Sequence, residues 1–210
     1  MSPPDEDDLV ARARTLADRP GRALLGITGP PGAGKSTVTT TVVDGLRDEG
    51  IAVAWVPMDG FHFSQAELVE RGLRDLMGRI DTFDAAAYLS LLERLRAEPA
   101  ETVVAPDFDR NIEEPVPDAI SVGPEVDLVV TEGNYLLDAD KPWPAIRSML
   151  DEVWFVDLAD DARLDRLLRR HIQFGKPEDE ARHWMERVDE PNARRVMSRR
   201  DTADLVVNGE

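Results

Sequence analysis

The chain has 210 residues, and its 42 acidic side chains against 25 basic ones leave a formal net charge of −17. Nucleic acid and anionic membrane surfaces both demand a basic face, so neither is expected as a partner. The absence of cysteine excludes a disulfide framework and a cysteine nucleophile, and it fits a reducing compartment.

The acidic start Met1-Ser2-Pro3-Pro4-Asp5-Glu6-Asp7-Asp8 has no apolar stretch and does not read as a signal peptide. No apolar run approaches the ~20 residues of a membrane span, and a cytoplasmic protein is expected. Residues 1–22 form an N-terminal packing segment. Its helix runs from about Asp8 to Arg19, carries Leu9, Val10, Ala13, Leu16 and Ala17, and ends at Pro20-Gly21. Residues 23–210 are expected to fold as one α/β domain with a substantial core.

Ala23 to Thr28 is a short apolar run that reads as a buried strand. It is followed by Gly29-Pro30-Pro31-Gly32-Ala33-Gly34-Lys35-Ser36-Thr37, which fits G-x-x-x-x-G-K-[ST] without a mismatch. Val38, Val42 and Leu46 then recur at helical spacing. Strand, glycine loop and helix is the order a phosphate-binding loop requires. Glycines let the backbone turn tightly and approach an anion, and the helix start supplies N–H groups and a positive dipole end. Lys35 can reach the outer phosphates, and the Ser36 hydroxyl is placed for Mg²⁺. A chance turn before a helix is the plain alternative, but the chain has only three lysines, Lys35, Lys141 and Lys176. A nucleoside triphosphate is the expected ligand.

The helix after the loop is rich in Thr and Val and contains Gly45, so tertiary burial must hold it. Gly50 closes it, and Ile51 to Val56 reads as the second strand, running into Pro57-Met58-Asp59-Gly60-Phe61-His62-Phe63. A short helix is predicted over Gln65–Arg74 and a loop over Met77–Phe83. A longer helix spans about Asp84 to Ala97. Its apolar face is Ala87, Leu91 and Leu95, with Thr82 or Asp84 as cap and Pro99 beyond its end. Prolines at 99, 106, 115, 117 and 124 make residues 99–124 a hairpin or loop excursion outside the main sheet, carrying Phe108-Asp109-Arg110. Asp127–Thr131 and Glu152–Asp157 read as buried strands, with a short helix over Trp143–Leu150 between them. Asp160 to His171 is a helix with Leu164, Leu167 and Leu168 on one side. After a break at Gln173–Pro177, Glu178–Arg200 is largely helical with an interruption near Pro191, and Ala203–Val207 closes the sheet. Apolar strands alternating with helices imply a mostly parallel sheet covered on both faces.

Ligands bind beyond the carboxyl ends of strands in such sheets. Asp59 lies at one such end, where it would orient an acceptor hydroxyl or merely cap a turn. Glu132 follows the strand Val129-Val130-Thr131 and suits either the magnesium side or the acceptor. Arg163, Arg166 and Arg170 recur three and four apart, opposite the leucines. They make either a phosphate-neutralising lid, over about 163–180, or a solvated helix face. His62, Asp81, Phe108, Asp109 and Arg110 are further candidates, Asp109-Arg110 beside an aromatic being the best suited to a polar substrate. His62, His171 and His183 show no metal-ligand spacing, and no guanine-reading N-K-x-D segment is present.

Gly29–Thr37, Met58-Asp59-Gly60-Phe61-His62, Phe108-Asp109-Arg110, Thr131-Glu132-Gly133-Asn134-Tyr135 and Asp161-Ala162-Arg163-Leu164 resemble the uridine kinase, phosphoribulokinase and bacterial pantothenate kinase superfamily. Within it the chain is most similar to kinases associated with fructose transport. The resemblance implies a P-loop NTPase three-layer α/β/α sandwich and an ATP- and Mg²⁺-dependent kinase acting on a hydroxyl of a small sugar, nucleoside or pantothenate-like metabolite. It implies that Asp59 activates the acceptor, that Arg163, Arg166 and Arg170 are lid arginines, and that Ala203-Asp204-Leu205 borders the adenine, with Asp204 beside the nucleotide. The family's Asp-Ser-Phe-Tyr segment is Asp-Gly-Phe-His here, and Phe108 stands where uridine kinases have tyrosine, so the acceptor stays open. A homodimer stays open too. The rival expectations are a nucleotide-binding regulatory or scaffold protein and a nucleotide hydrolase.

Overall fold

The structure, a computed structural model, describes residues 4–97 and 100–209. In chain order its helices are α1 (Glu6–Ala17), α2 (Lys35–Asp48), α3 (Gln65–Glu70), α4 (Ala85–Ala97), α5 (Trp143–Met149), α6 (Asp160–Gln173), α7 (Glu178–Trp184) and α8 (Glu190–Met197). The strands are β1 (Ala23–Thr28), β2 (Val53–Pro57), β3 (Val103–Asp109), β4 (Glu114–Val122), β5 (Leu128–Glu132), β6 (Glu152–Asp157) and β7 (Leu205–Asn208).

Five strands form one sheet in the order β2-β5-β1-β6-β7, and every neighbouring pair is parallel. The three central strands are almost wholly apolar because helices cover both faces. Side chains alternate across a strand, so adjacent residues serve different cores. Leu24, Val129 and Phe155 join Tyr88, Leu92, Trp143 and Ile146 on one face. Leu25, Val130 and Trp154 join Leu16, Val42 and Leu46 on the other. The result is a three-layer α/β/α sandwich. No helix among the described residues is long and apolar enough to cross a membrane.

α1 opens on a capping box, the Asp5 carboxylate accepting from the Asp8 N–H at 2.9 Å and the Asp8 carboxylate from the Asp5 N–H. It buries Leu9, Ala13, Leu16 and Ala17 against the second core. Gly45 of α2 explains how closely the two helices pack. A Cβ there would stand 2.6 Å from Cγ2 of Val10.

β3 and β4 pair antiparallel and make a separate two-stranded sheet, with the register slipping between Ala105 and Asp107. Pro106 at that slip has no N–H to offer the ladder. The hairpin rests on the 3₁₀ turn Met58–Phe61, where Gly60 permits the approach. A Cβ on Gly60 would come within 2.5 Å of the Pro106 carbonyl oxygen.

One local reading needs correction and two others become specific. Ala87 is exposed, and the buried face of α4 is Tyr88, Leu91, Leu92 and Leu95. The helix is rotated so that the buried Tyr88 hydroxyl meets Thr131 Oγ1 at 2.6 Å, while Thr131 Oγ1 also bonds the Val56 carbonyl at 2.7 Å. Its cap is Asp84, which accepts from the Ala87 N–H at 2.9 Å, whereas Thr82 bonds within the preceding turn; Pro99 lies outside the described residues. The interruption near Pro191 is a π turn over Met185–Asp189, just ahead of that proline.

Candidate active site

β1 delivers the chain into the glycine loop, where Gly29, Gly32 and Gly34 all have positive φ. At Gly32 a side chain is excluded twice, by φ +83 and by a Cβ that would stand 2.6 Å from the Arg163 carbonyl oxygen. α2 begins at Lys35 with no side chain capping it, so the N–H groups of its first turn are left without a side-chain partner. Pro30, Pro31 and Ala33 are buried, Pro31 against the cleft, and Ser36 and Thr37 are exposed. Lys35 Nζ donates to the carbonyls of Gly29 and Pro30 at 3.0 and 3.2 Å. Burial lowers its pKa to about 8, against the opposing pull of Glu132.

Glu132 leaves the carboxyl end of β5, beside β1, and its Oε1 accepts from Ser36 Oγ at 3.0 Å. Burial raises its pKa, opposed by Lys35. A hydroxyl and a carboxylate are the hard oxygen donors that Mg²⁺ prefers, and phosphate and water customarily complete its shell. The pair therefore fits that ion. Among the described residues no cluster of three or more His, Asp or Glu could hold a metal without such help.

Asp59 sits in the 3₁₀ turn after β2, and its Oδ2 accepts from Arg110 Nη2 at 2.8 Å. Burial pushes its carboxyl up, but Arg110, then His62, Lys35 and Arg170, hold it below the ordinary range. His62 Nδ1 lies 2.9 Å from the Asp59 carbonyl oxygen, and its ring packs against Phe83 and Phe108 at centroid distances of 3.9 and 5.0 Å. Its Nε2 is buried without a partner. Arg170, on α6, faces the same cleft with no ion pair among the described residues, and burial lowers its pKa. The cleft thus joins Lys35, Asp59, His62, Phe108, Arg110, Glu132 and Arg170. A second recess, reached past the Arg110–Asp59 pair, adds Ser36 and Trp55.

Other expected site residues are placed elsewhere. Arg163 is not on a solvated face opposite the leucines. Its side chain is 3 % exposed and donates to the Pro31 carbonyl at 3.3 Å, Glu190 Oε1 at 2.7 Å and Asp160 Oδ1 at 3.1 Å. The helix leans on the glycine loop along Arg163 and Leu167, and that contact decides which side is buried. Arg166 is exposed and donates to the Gly209 carbonyl. Asp109 accepts from the Asn111 N–H at 2.8 Å and from its side chain, so it shapes the hairpin turn. Asp81 pairs with Arg79. Asp204 precedes β7 at the amino ends of the parallel strands, opposite to the phosphate loop. It accepts there from Arg147 at 2.7 Å and from the Val153 N–H, so it does not border the nucleotide loop. The residue of this segment that reaches the loop is Gly209, where a Cβ would collide with the Ala33 carbonyl oxygen.

The cleft also contains residues that no motif singled out. His171 Nε2 and Asp189 Oδ2 are 2.7 Å apart. Lys176 Nζ lies 5.1 Å from the Trp184 ring centroid and 3.6 Å from Glu113 Oε1. Its rarity among the cations was the one available signal.

The family model described as "Methylmalonyl Co-A mutase-associated GTPase MeaB" matches residues 5–65, from α1 through the glycine loop to the turn after β2. A protein of Schizosaccharomyces pombe named as a candidate uridine kinase is 32% identical over 209 residues, covering 96% of this chain and 89% of its own length. The YggC protein of Escherichia coli K12 is 35% identical over 188 residues, covering 89% of this chain and 77% of its own. Among solved structures, that of a candidate fructose transport system kinase from Silicibacter sp. TM1040 has a TM-score of 0.85 at 32% identity. It covers 94% of this chain and 98% of its own.

Proposed function

The chain belongs to the P-loop kinase-like family that includes the uridine kinases, and from that premise we propose that it moves the γ-phosphoryl group of ATP, with Mg²⁺, onto a hydroxyl of a small metabolite. The observation that carries this reading is the convergence of Lys35, the Ser36–Glu132 pair, Asp59 and the unpaired Arg170 around one cleft at the carboxyl ends of β1, β2 and β5. Lys35 and the N–H groups opening α2 hold the polyphosphate. Ser36 and Glu132 hold Mg²⁺, which supplies charge neutralisation on the transferring group. Arg170 adds to that neutralisation from the lid segment, and α6 with the loop after it helps exclude water.

Asp59 aims the acceptor hydroxyl. Held below the ordinary carboxyl range, it is ionised at neutral pH and is a weak base. That suffices, because phosphoryl transfer passes through a loose transition state and the proton leaves late. Relatives named for uridine and fructose make nucleosides and sugars the first acceptors to try.

The test is acceptor-dependent ADP formation by the parent chain, Lys35→Ala and Asp59→Asn. Both variants are expected to lose at least about 100-fold in kcat/KM, or ~2.7 kcal/mol of barrier. Asp59→Asn turning over within about tenfold of the parent would remove Asp59 from this role.

A further inference from the structure

Resting on the kinase reading above, we infer that the acceptor is an uncharged hydroxylated molecule and that the cleft turns away acceptors bearing a phosphate or carboxylate. The inference follows from which cations of the cleft are already matched. On that reading Lys35 and Arg170 serve the donor's phosphate end. The remaining two each stand beside a carboxylate, Arg110 at 2.8 Å from Asp59 and Lys176 at 3.6 Å from Glu113. The other Glu113 oxygen is engaged by Arg74 at 3.1 Å. Asp189 adds a further carboxylate to the same wall, buried and in contact with His171.

His62 adds no positive charge to this wall. A carbonyl oxygen only accepts, so the Nδ1–H donates to the Asp59 carbonyl and Nε2 is left as an acceptor without a partner. Burial holds the ring below its ordinary pKa, which keeps it neutral near pH 7. An anionic acceptor would therefore meet carboxylates, with every cation beyond the donor end already beside one. Unpaired charge in a desolvated cleft is strongly disfavoured. Uncharged hydroxyls need no counter-ion, can donate to Asp59, and can lay an apolar or flat side on Phe108.

The experiment follows ADP formation by the full chain with ATP and Mg²⁺ on matched pairs: uridine and UMP, D-ribose and ribose phosphate, glycerol and D-glycerate, pantothenol and pantothenate. In every pair that supports turnover, kcat/KM for the uncharged member is expected to exceed that of the charged one by at least about tenfold. Glu113→Gln, which keeps the side-chain shape but frees Lys176, is expected to narrow that ratio by about tenfold through KM of the charged member. A structural role alone would move both KM values together. Preference for the charged member, or a ratio that Glu113→Gln leaves unchanged, overturns the inference and leaves the kinase reading standing. ADP release that responds to no acceptor of either kind overturns the kinase reading, and this inference with it.

Discussion

Arg163 and Arg170 lie two turns apart on α6 in different surroundings, so their substitutions should part company. Arg163→Met removes a bond to Glu190 at 2.7 Å in which the arginine side chain is 3 % exposed. Such a charge-assisted bond contributes about 1.5–3 kcal/mol. The Pro31 carbonyl at 3.3 Å adds about 0.5–1 kcal/mol. Asp160 is 78% exposed, and that pair adds close to nothing. Methionine retains much of the stem's packing, so the loss should total ~2–4 kcal/mol. For a chain of this length that corresponds to a fall in Tm of about 5–15 °C. Arg170→Met instead deletes a largely desolvated cation with no ion pair among the described residues, so Tm should hold or rise while kcat falls about 100- to 1000-fold. Thermal melting by circular dichroism and kcat on the same preparations decide the matter. If Arg163→Met melts with the parent but loses kcat a hundredfold, the anchoring role is refuted.

Burial holds the Lys35 ammonium near pKa 8. Accordingly, kcat/KM for ATP, which reports the free enzyme, should fall above about pH 8, approaching tenfold per unit. kcat should hold to higher pH, because bound phosphate favours the ammonium; a kcat/KM flat to about pH 9.5 would refute this. For folding the sign is opposite: between about 8 and the ordinary 10.5 the unfolded lysine keeps a proton that the folded one has lost, so its contribution to stability rises with pH. Gly60→Ala drives a Cβ to within 2.5 Å of the Pro106 carbonyl oxygen and should displace the hairpin carrying Phe108 and Arg110. Acceptor KM should rise about 3- to 10-fold with ATP affinity unchanged, and an unmoved KM would show that the hairpin does not position the acceptor. Tyr88→Phe removes the 2.6 Å partner of Thr131 and should cost ~1 kcal/mol in urea unfolding without altering kcat.

Apolar runs, bounded by glycines at β1 and by acidic residues at β6, made both strands legible to the residue, and the proline spacing located the hairpin outside the sheet. The phosphate loop was equally plain, because its chemistry demands particular residues in a short window. Orientation was harder to read. On α6 the leucines suggest the buried side, yet Leu164 and Leu168 are only partly covered and Arg163 is the most sheltered cation of the helix. A guanidinium can be buried when a carbonyl and a carboxylate await it, and neither Pro31 nor Glu190 is visible from the helix itself. Asp204 failed for a similar reason: its segment does run beside β6, but the parallel direction puts the aspartate at the far end of the sheet. The His171–Asp189 and Lys176–Glu113 pairs join distant parts of the chain and leave no local pattern.

The fastening of α6 to the Pro31 carbonyl has a mechanical consequence. Lys35 grips the carbonyls of Gly29 and Pro30, and the next peptide oxygen along is the one that Arg163 holds. Consecutive peptide oxygens of one loop are thus held by the phosphate-binding lysine and by the helix that also bears Arg170. A shift of that backbone would move the footing of α6 directly.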